Sequence, residues 1–313
     1  MIGFLLRRIA SSILLLLVVT TVTFVLVFSG GEAIARRIVG DFTPQVQVDA
    51  KVAELGLDKP VFLRFSDWIG HALRGDLGTS WFTSEPVSTA IMGRLGVTFS
   101  IVIIVILISA VLSVVLGMAA AIRRGWVDRS VQVLAIVGYA VPGFIIAMLL
   151  VNVFAIQLKL LPATGFISFT DDPLLWAKSL VLPVLALVVS TVASTAQQIR
   201  SSLIEVLQRD YVRTLRSRGI SDTEVLWRHV LRAAAPPGLT VLGLQFIGLL
   251  GGTVIVEQVF ALPGLGYLAV QSTTRGDLPI VLGVVVLTVL LVVVVNLVID
   301  LMIAWFNPKV RVS

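Results

Sequence analysis

Charged side chains are few in this 313-residue chain, and arginine is the commonest of them. Seven of them, Arg200, Arg209, Arg213, Arg216, Arg218, Arg228 and Arg232, fall within residues 200–236, between two apolar runs. Guanidinium groups are permanently charged forks that match carboxylates and phosphates, so the cluster predicts a surface that grips a partner. Bond-making chemistry has little support. There is no cysteine, which excludes disulfides, thiolate metal sites and cysteine nucleophiles. The two histidines, His71 and His229, are far apart, so no metal site is expected. No GxxxxGK[ST] motif is present to cradle a nucleotide. No Ser/His/Asp set or carboxylate pair converges in sequence. Gly251-Gly252-Thr253 and Gly264-Leu265-Gly266 follow no strand, and Gly248, Gly251 and Gly252 read as places where a neighbouring helix approaches closely.

Two acids, Glu257 and Asp300, lie in or beside apolar runs. An ionisable group at membrane depth is a functional candidate. Close to an interface it is equally well satisfied by a structural hydrogen bond or an arginine. Asn152, Gln245, Thr253 and Asn296 are the other polar side chains at depth. They either line a path or bond between helices.

These residues are positioned by elements that must live in lipid. The chain is 57% hydrophobic and 13% charged, with a mean hydropathy of +1.02, more apolar than a soluble core can hide. About 20 apolar residues cross a hydrocarbon core of about 30 Å as helix. Six segments qualify: 9–28, 97–122, 130–158, 178–199, 239–260 and 279–306. Pro142-Gly143 should kink the third. Pro183 is expected near the start of the fourth, where proline costs little. With the N-terminus inside, 14 of the 24 Lys and Arg residues fall on the inner side, with five acids. The outer side holds the other 10 basic residues and 11 acids, so the positive-inside rule puts both termini in the cytoplasm. Basic loops on one side of a membrane, rather than nucleic-acid binding, explain a pI of about 10.2. The first run follows Arg7-Arg8 and is long for a signal-peptide core, while Ala33-Ile34-Ala35 lies well past it, so a retained anchor is expected.

Residues 29–95 form the one sizeable soluble segment. Thr43 as N-cap and Pro44 at the first position open a helix to residue 55, and Gly56 stops it. Asp58-Lys59-Pro60 opens a second, with Phe62, Phe65, Trp68, Ile69 and Leu73 at helical spacing and Gly75 at its end. Ser84-Glu85-Pro86 opens a third that runs into the second span. The segment reads as a cap on the membrane domain, as a docking platform through Trp68, Trp81, Phe82 and Glu85, or as both.

The arginine-rich segment reads as two helices. Residues 202–218 carry Leu203, Val206, Leu207, Tyr211 and Leu215 on one side. Gly219 permits the positive φ of a helix stop. Ser221 is an N-cap, and Glu224 three residues later completes a capping box. A short helix through residue 231 follows, ended by Pro236-Pro237. Such a short helix suits a groove in another protein.

The run DYVRTLRSRG at 210–219, followed by HVLR at 229–232, resembles the cytoplasmic "EAA" loop of ABC importer permeases. More narrowly, it resembles the dipeptide/oligopeptide-type permeases of the B kind. The likeness extends collinearly over about 300 residues through LGLDKPVFLRFSDWIGHALRGDLGTSW, EPVSTAIMGRL, VPGF, LPATGF, TVLGLQFIGLLGGTVIVEQVFALPGLG, NLVID and NPKVR. Arg213 stands where the general loop has glutamate, and Arg232 where it has proline; both look usual for the peptide subclass. Asn307-Pro308-Lys309 replaces the usual Asp-Pro-Arg, which weakens that charge.

The resemblance implies an all-α membrane protein of type I importer permease fold. It has six transmembrane helices and a small extracytoplasmic helical domain after the first. The domains would be an N-terminal helix (1–28), the outer domain (29–95), the permease domain (96–306, with its coupling loop at 200–238) and a cytoplasmic tail (307–313). It implies a non-catalytic subunit in a bacterial or archaeal inner membrane, partnered by a second homologous permease, two ABC ATPase subunits, an extracytoplasmic substrate-binding protein and membrane lipid. No cofactor is expected in this chain, ATP and Mg being bound by the ATPases. In that picture residues 221–227 form the coupling helix, and Arg213, Arg216, Gly219, Ser221, Asp222, Glu224 and Arg228 serve ATPase coupling. Asn152, Gln245, Thr253 and Glu257 line the translocation pathway, and Trp68, Trp81 and Glu85 dock the binding protein. Di- or oligopeptides are the expected cargo, with nickel complexes, glutathione, haem and short glycans as alternatives. A proton-coupled secondary transporter using Glu257 or Asp300 is a reading of another class. The absence of an evident internal repeat argues against it, and it leaves the basic loop unexplained.

Overall fold

A computed structural model describes residues 2–28, 30–123 and 125–306. The tail 307–313, with its Asn307-Pro308-Lys309 variant, and Arg124 of the inner charge count lie outside them. Among the described residues the chain is all helix, apart from one antiparallel bridge between Thr79 and Pro86. The helices are α1 (Ile2–Phe28), α2 (Gly31–Val39), α3 (Gln45–Glu54), α4 (Val61–Ala72), α5 (Val87–Arg123), α6 (Trp126–Ala140) and α7 (Gly143–Leu150). They continue with α8 (Pro173–Leu207), α9 (Asp210–Ser217), α10 (Asp222–Glu224), α11 (Leu231–Val259), α12 (Leu265–Arg275) and α13 (Leu278–Phe306).

Among the described residues, five helical runs are long and apolar enough to cross a membrane: residues 7–28 of α1, then α5, α8, the run from Asp222 through α11, and residues 278–303 of α13. The expected third span is not a single kinked rod. α6 and α7 meet at Pro142-Gly143 with a bend of 93°, and α7 continues as a π-helical stretch, Val151–Gln157. Counted as one broken span, the pair brings the total to six. Pro142 takes an extended ψ of 135° and caps α7, so the helix restarts there instead of bending smoothly.

The chain divides into two compact units, residues 5–98 with 263–293, and residues 99–262 with 2–4 and 294–306. In the first, Phe24, Phe28, Ile34, Leu57 and Leu282 form a core to which Phe65, Trp68 and Trp81 add their rings. The glycines at 56 and 75 stop α3 and α4 at positive φ, as expected. The cap on α3 differs from expectation. Thr43 donates its hydroxyl to the Val39 carbonyl, and Pro44 occupies the N-cap. Helices α2 and α12 were not expected from sequence; both are short and sit beside glycine-rich turns. A Cβ on Gly283 would stand 2.4 Å from the Val87 side chain, so α13 touches α5 through a position that admits glycine alone.

The second unit is built on α8. In its most apolar stretch 67% of residues are buried, against 28% or less for the other spans. Asp172 caps it, accepting from the N–H groups of Leu174 and Leu175 at 2.8 and 3.0 Å, with Pro173 at the first position. Pro183 is therefore inside the helix, not near its start. Small residues let neighbours close on α8: a Cβ on Gly117 of α5 would meet the Ala196 carbonyl at 2.9 Å. In lipid such close backbone approach, not water exclusion, holds helices together. By contrast, Cβ atoms at Gly248 and Gly251 would meet nothing within 4 Å, so those two glycines do not pack a helix of this chain as expected.

Candidate functional site

The basic loop folds onto the end of α8 as a compact unit. α8 stops at Leu207, the chain steps out at Gln208 and Arg209, and α9 restarts at Asp210. The expected single helix over 202–218 is thus two helices. Gly219 has φ +81°, and the Ile220 N–H reaches the Leu215 carbonyl, which ends α9 in a left-handed cap. Ser221 caps the next helix, its hydroxyl accepting from the Glu224 N–H at 3.3 Å. The reciprocal half of the capping box is not made. The Glu224 carboxylate accepts from Arg228 at 3.2 Å instead.

The short helix does not end at Pro236-Pro237. Residues Asp222–Val259 run on without interruption, through a π-helical stretch at Val225–Val230 and then α11. Pro236 and Pro237 lie inside α11, which runs on through them; prolines are tolerated in membrane helices where the freed backbone groups find other partners. Val225, Val230 and Val212 are buried with Leu203, Val206 and Ala121 in one apolar cluster. The loop is therefore anchored by its inner face, and its outer face presents Trp227 and the charges.

Those charges are largely paired. Arg209 with Glu205 (2.8 Å), Arg213 with Asp210 (3.8 Å), Arg216 with Asp222 (2.8 Å) and Arg228 with Glu224 account for every acid between 200 and 236. The hydrogen bond that Arg209 donates to Glu205 raises the Arg209 pKa further above its ordinary value. Arg200 makes a two-pronged, part-buried pair with Asp128 of α6. Arg218 and Arg232 have no acidic partner among the described residues. Beside the Arg216–Asp222 pair lies a cavity of about 490 Å³, bordered by Leu207, Gln208, Thr223, Leu226 and Trp227.

The expected pathway residues occupy different settings. Asn152 is exposed on the π-helical stretch after α7, and its carbonyl accepts from Gln157 at 2.7 Å. Thr253 and Glu257 are fully buried on the inner face of α11, one turn apart. Gln245 donates to Ser194 of α8. Ser194 borders a cavity of about 310 Å³ with Tyr139, Ala140, Ala193 and Gln197, and the Gln197 side-chain oxygen is buried without a hydrogen-bond partner. Sequence reasoning passed over Ser194 and Gln197. The signal was there, as Ser190, Ser194, Gln197 and Gln198 recur at helical spacing in an apolar span.

On the outer segment, Trp81 meets Phe28 edge-on at 5.8 Å and Trp68 lies 6.1 Å from Phe24, so both rings belong to the core. Arg64 stands 5.1 Å over the Phe28 ring, and burial lowers its pKa against the pull of Asp58. Phe82 and Glu85 are exposed. Asp277, also missed, is buried and accepts from the Ser80 hydroxyl and the Trp81 N–H.

Residues 113–312 match the family of binding-protein-dependent transport system inner membrane components, and residues 1–102 match the N-terminal region of such components. The chain belongs to this family. A Brucella abortus (strain 2308) protein that carries the name of a peptide transport system permease is 38% identical over 99% of both chains. The glutathione transport system permease GsiC of Salmonella typhimurium is 37% identical over 99% of both chains. In structure, the chain resembles the MetNI methionine ABC transporter in an inward-facing form. The TM-score is 0.57 at 16% identity, covering 72% of this chain and all of that one. The fold is that of a type I importer permease. As a permease of this family, the chain is a multi-pass inner-membrane component of an ABC importer, which works with ATPase and binding-protein partners.

Proposed function

We propose that this permease carries di- or oligopeptides delivered by an extracytoplasmic binding protein. The observation that carries the reading is end-to-end similarity to a peptide-transport permease, 38% over 99% of both chains. The polar contacts at depth agree with it. Gln245, Ser194 and Gln197 offer amide and hydroxyl groups suited to a peptide backbone of any sequence, and no charged side chain borders the cavity beside them. Glutathione is the second reading, favoured by the match to GsiC.

The permease does no bond chemistry itself. ATP and Mg bind two ATPase subunits, a second homologous permease completes the pathway, and both termini face the cytoplasm. Residues 200–238 form the coupling surface, with Gly219 and Ser221 setting the turn and Arg213, Arg216, Asp222, Glu224 and Arg228 fixing its shape by pairing. Arg218, with no acidic partner among the described residues, is left to meet the ATPase. The outer domain, 29–95, meets the binding protein through Phe82 and Glu85, with Trp68 and Trp81 supporting that face from within. Gly248 and Gly251 leave an open notch for a helix of the second permease. The test is uptake by the reconstituted transporter and its binding protein. Labelled dipeptides and tetrapeptides should enter and compete with one another. Uptake of glutathione that no peptide inhibits would replace the first reading by the second.

A further inference from the structure

A groove of about 510 Å³ opens on the second unit between α5, α11 and α13, within the usual size of ligand sites, about 300–1,000 Å³. Its shaft is apolar, formed by Ala110, Val114, Ala235, Gly238, Leu239 and Leu242. Its mouth is different. There Arg228 and Arg232 lie with Trp227 and Trp305, the two indoles 56% and 63% exposed. The order along all three helices agrees. Trp227 and Arg228 sit near the start of one helix run, Trp305 near the end of α13, and Ala110 lies far from the Arg123 end of α5. Arg232 to Leu242 is a rise of about 15 Å, half the hydrocarbon core.

We infer that this groove binds one anionic phospholipid, its phosphate on Arg232 and Arg228 and an acyl chain along Val114, Leu239 and Leu242. Three observations select a lipid. Arg232 has no acidic partner among the described residues, and Arg228 pairs through one nitrogen alone, so an anion is wanted at the mouth. The exposed Trp227 and Trp305 beside the two arginines suit the headgroup boundary, where tryptophans concentrate. The apolar shaft begins at that level and runs to mid-bilayer. A partner helix would bury Arg232 unless it brought its own acid there. Basic pockets between membrane helices suit anionic headgroups. The inference needs only that these helices cross the membrane, and stands apart from cargo and sidedness.

The test is native mass spectrometry of the assembled transporter in detergent with equal amounts of phosphatidylglycerol and phosphatidylethanolamine. The wild type should retain phosphatidylglycerol preferentially, and Arg232→Gln should reduce that preference about fivefold. Ala235→Trp, which fills the shaft, should lower retention of both lipids. Should that variant fail to assemble, phosphatidylglycerol with a photoreactive acyl chain, added to the wild type, should label α5 and α11 around Val114, Leu239 and Leu242. Equal retention of the two lipids, an unchanged preference in Arg232→Gln, or label outside these helices would overturn the proposal. So would cross-linking of a cysteine at Ala235 to a helix of the second permease.

Discussion

Gly219 carries the sharpest single-residue constraint in the loop. Its φ of +81° is left-handed, and a Cβ there would meet no atom within 4 Å, so the cost of substitution is backbone strain and not a clash. That strain is about 1–2 kcal/mol for an ordinary L-residue and worse for a β-branched one. We predict that Gly219→Val inserts normally but loses uptake and transport-linked ATP hydrolysis, whereas Gly219→Asn retains most of both, since asparagine tolerates this region. Equal activity of the two variants would remove the loop's coupling role. The ion pairs rank differently. Asp128 and Arg200 are 16% and 19% exposed, while Asp210 and Arg213 are 97% and 77% exposed. Removing one partner of the part-buried Asp128–Arg200 pair strands a charge at a cost between the about 3 kcal/mol of a buried pair and the under about 1 kcal/mol of a surface pair. Asp128→Ala should therefore lower the melting temperature of the purified complex clearly. Arg213→Ala should hardly move it, and Asp128→Ala with Arg200→Ala should recover part of the loss. A null effect of Asp128→Ala would show that water reaches the pair.

At the scale of elements, the turn between α12 and α13 is tied to the 79–83 turn through one carboxylate. Asp277 holds the Ser80 hydroxyl and the Trp81 N–H, and the Ser80 oxygen in turn accepts from the N–H groups of Phe82 and Thr83. Asp277→Ala orphans buried donors, at about 1–3 kcal/mol. It should loosen the 79–83 turn, which hydrogen exchange of residues 80–83 would report. Unchanged exchange there would mean that the aromatic core around Phe28 and Trp81 holds the turn unaided. The same mutation should weaken cross-linking of Glu85 to the binding protein, because it displaces the turn that presents that residue.

The whole molecule commits to a sidedness through its charge distribution. Alkaline phosphatase fused at Asp49 should be active and fused at Ser217 inactive, since the periplasm alone supports that enzyme's folding. The reverse pattern would invert the positive-inside count and with it the assignment of residues 200–238 to the ATPase side. The faces left uncovered on α1, α5 and α13 belong to the same scale. With 28% or less of their apolar stretches buried, these spans meet lipid or a second subunit over most of their surface.

The sequence by itself determined the membrane class, the stops at Gly56, Gly75 and Gly219, the cap at Ser221 and the family. Each rests on local chemistry, such as a run long enough to span lipid, a residue able to take positive φ, or a hydroxyl one turn before an N–H. Tertiary structure alone decided that α8 is the inner helix, that α6 and α7 turn through 93°, and that the helix passes Pro236 and Pro237. It also decided that Arg200 finds Asp128, that Asp277 finds Ser80, and that Trp68 and Trp81 face inward. The physical reason is the solvent. In water a buried helix face declares itself by its apolar stripe, but in lipid the exposed face is as apolar as the buried one. The pattern that would name the inner side of α8 is therefore absent from its sequence. Partners 72 and 197 residues apart are joined by packing that no local window contains.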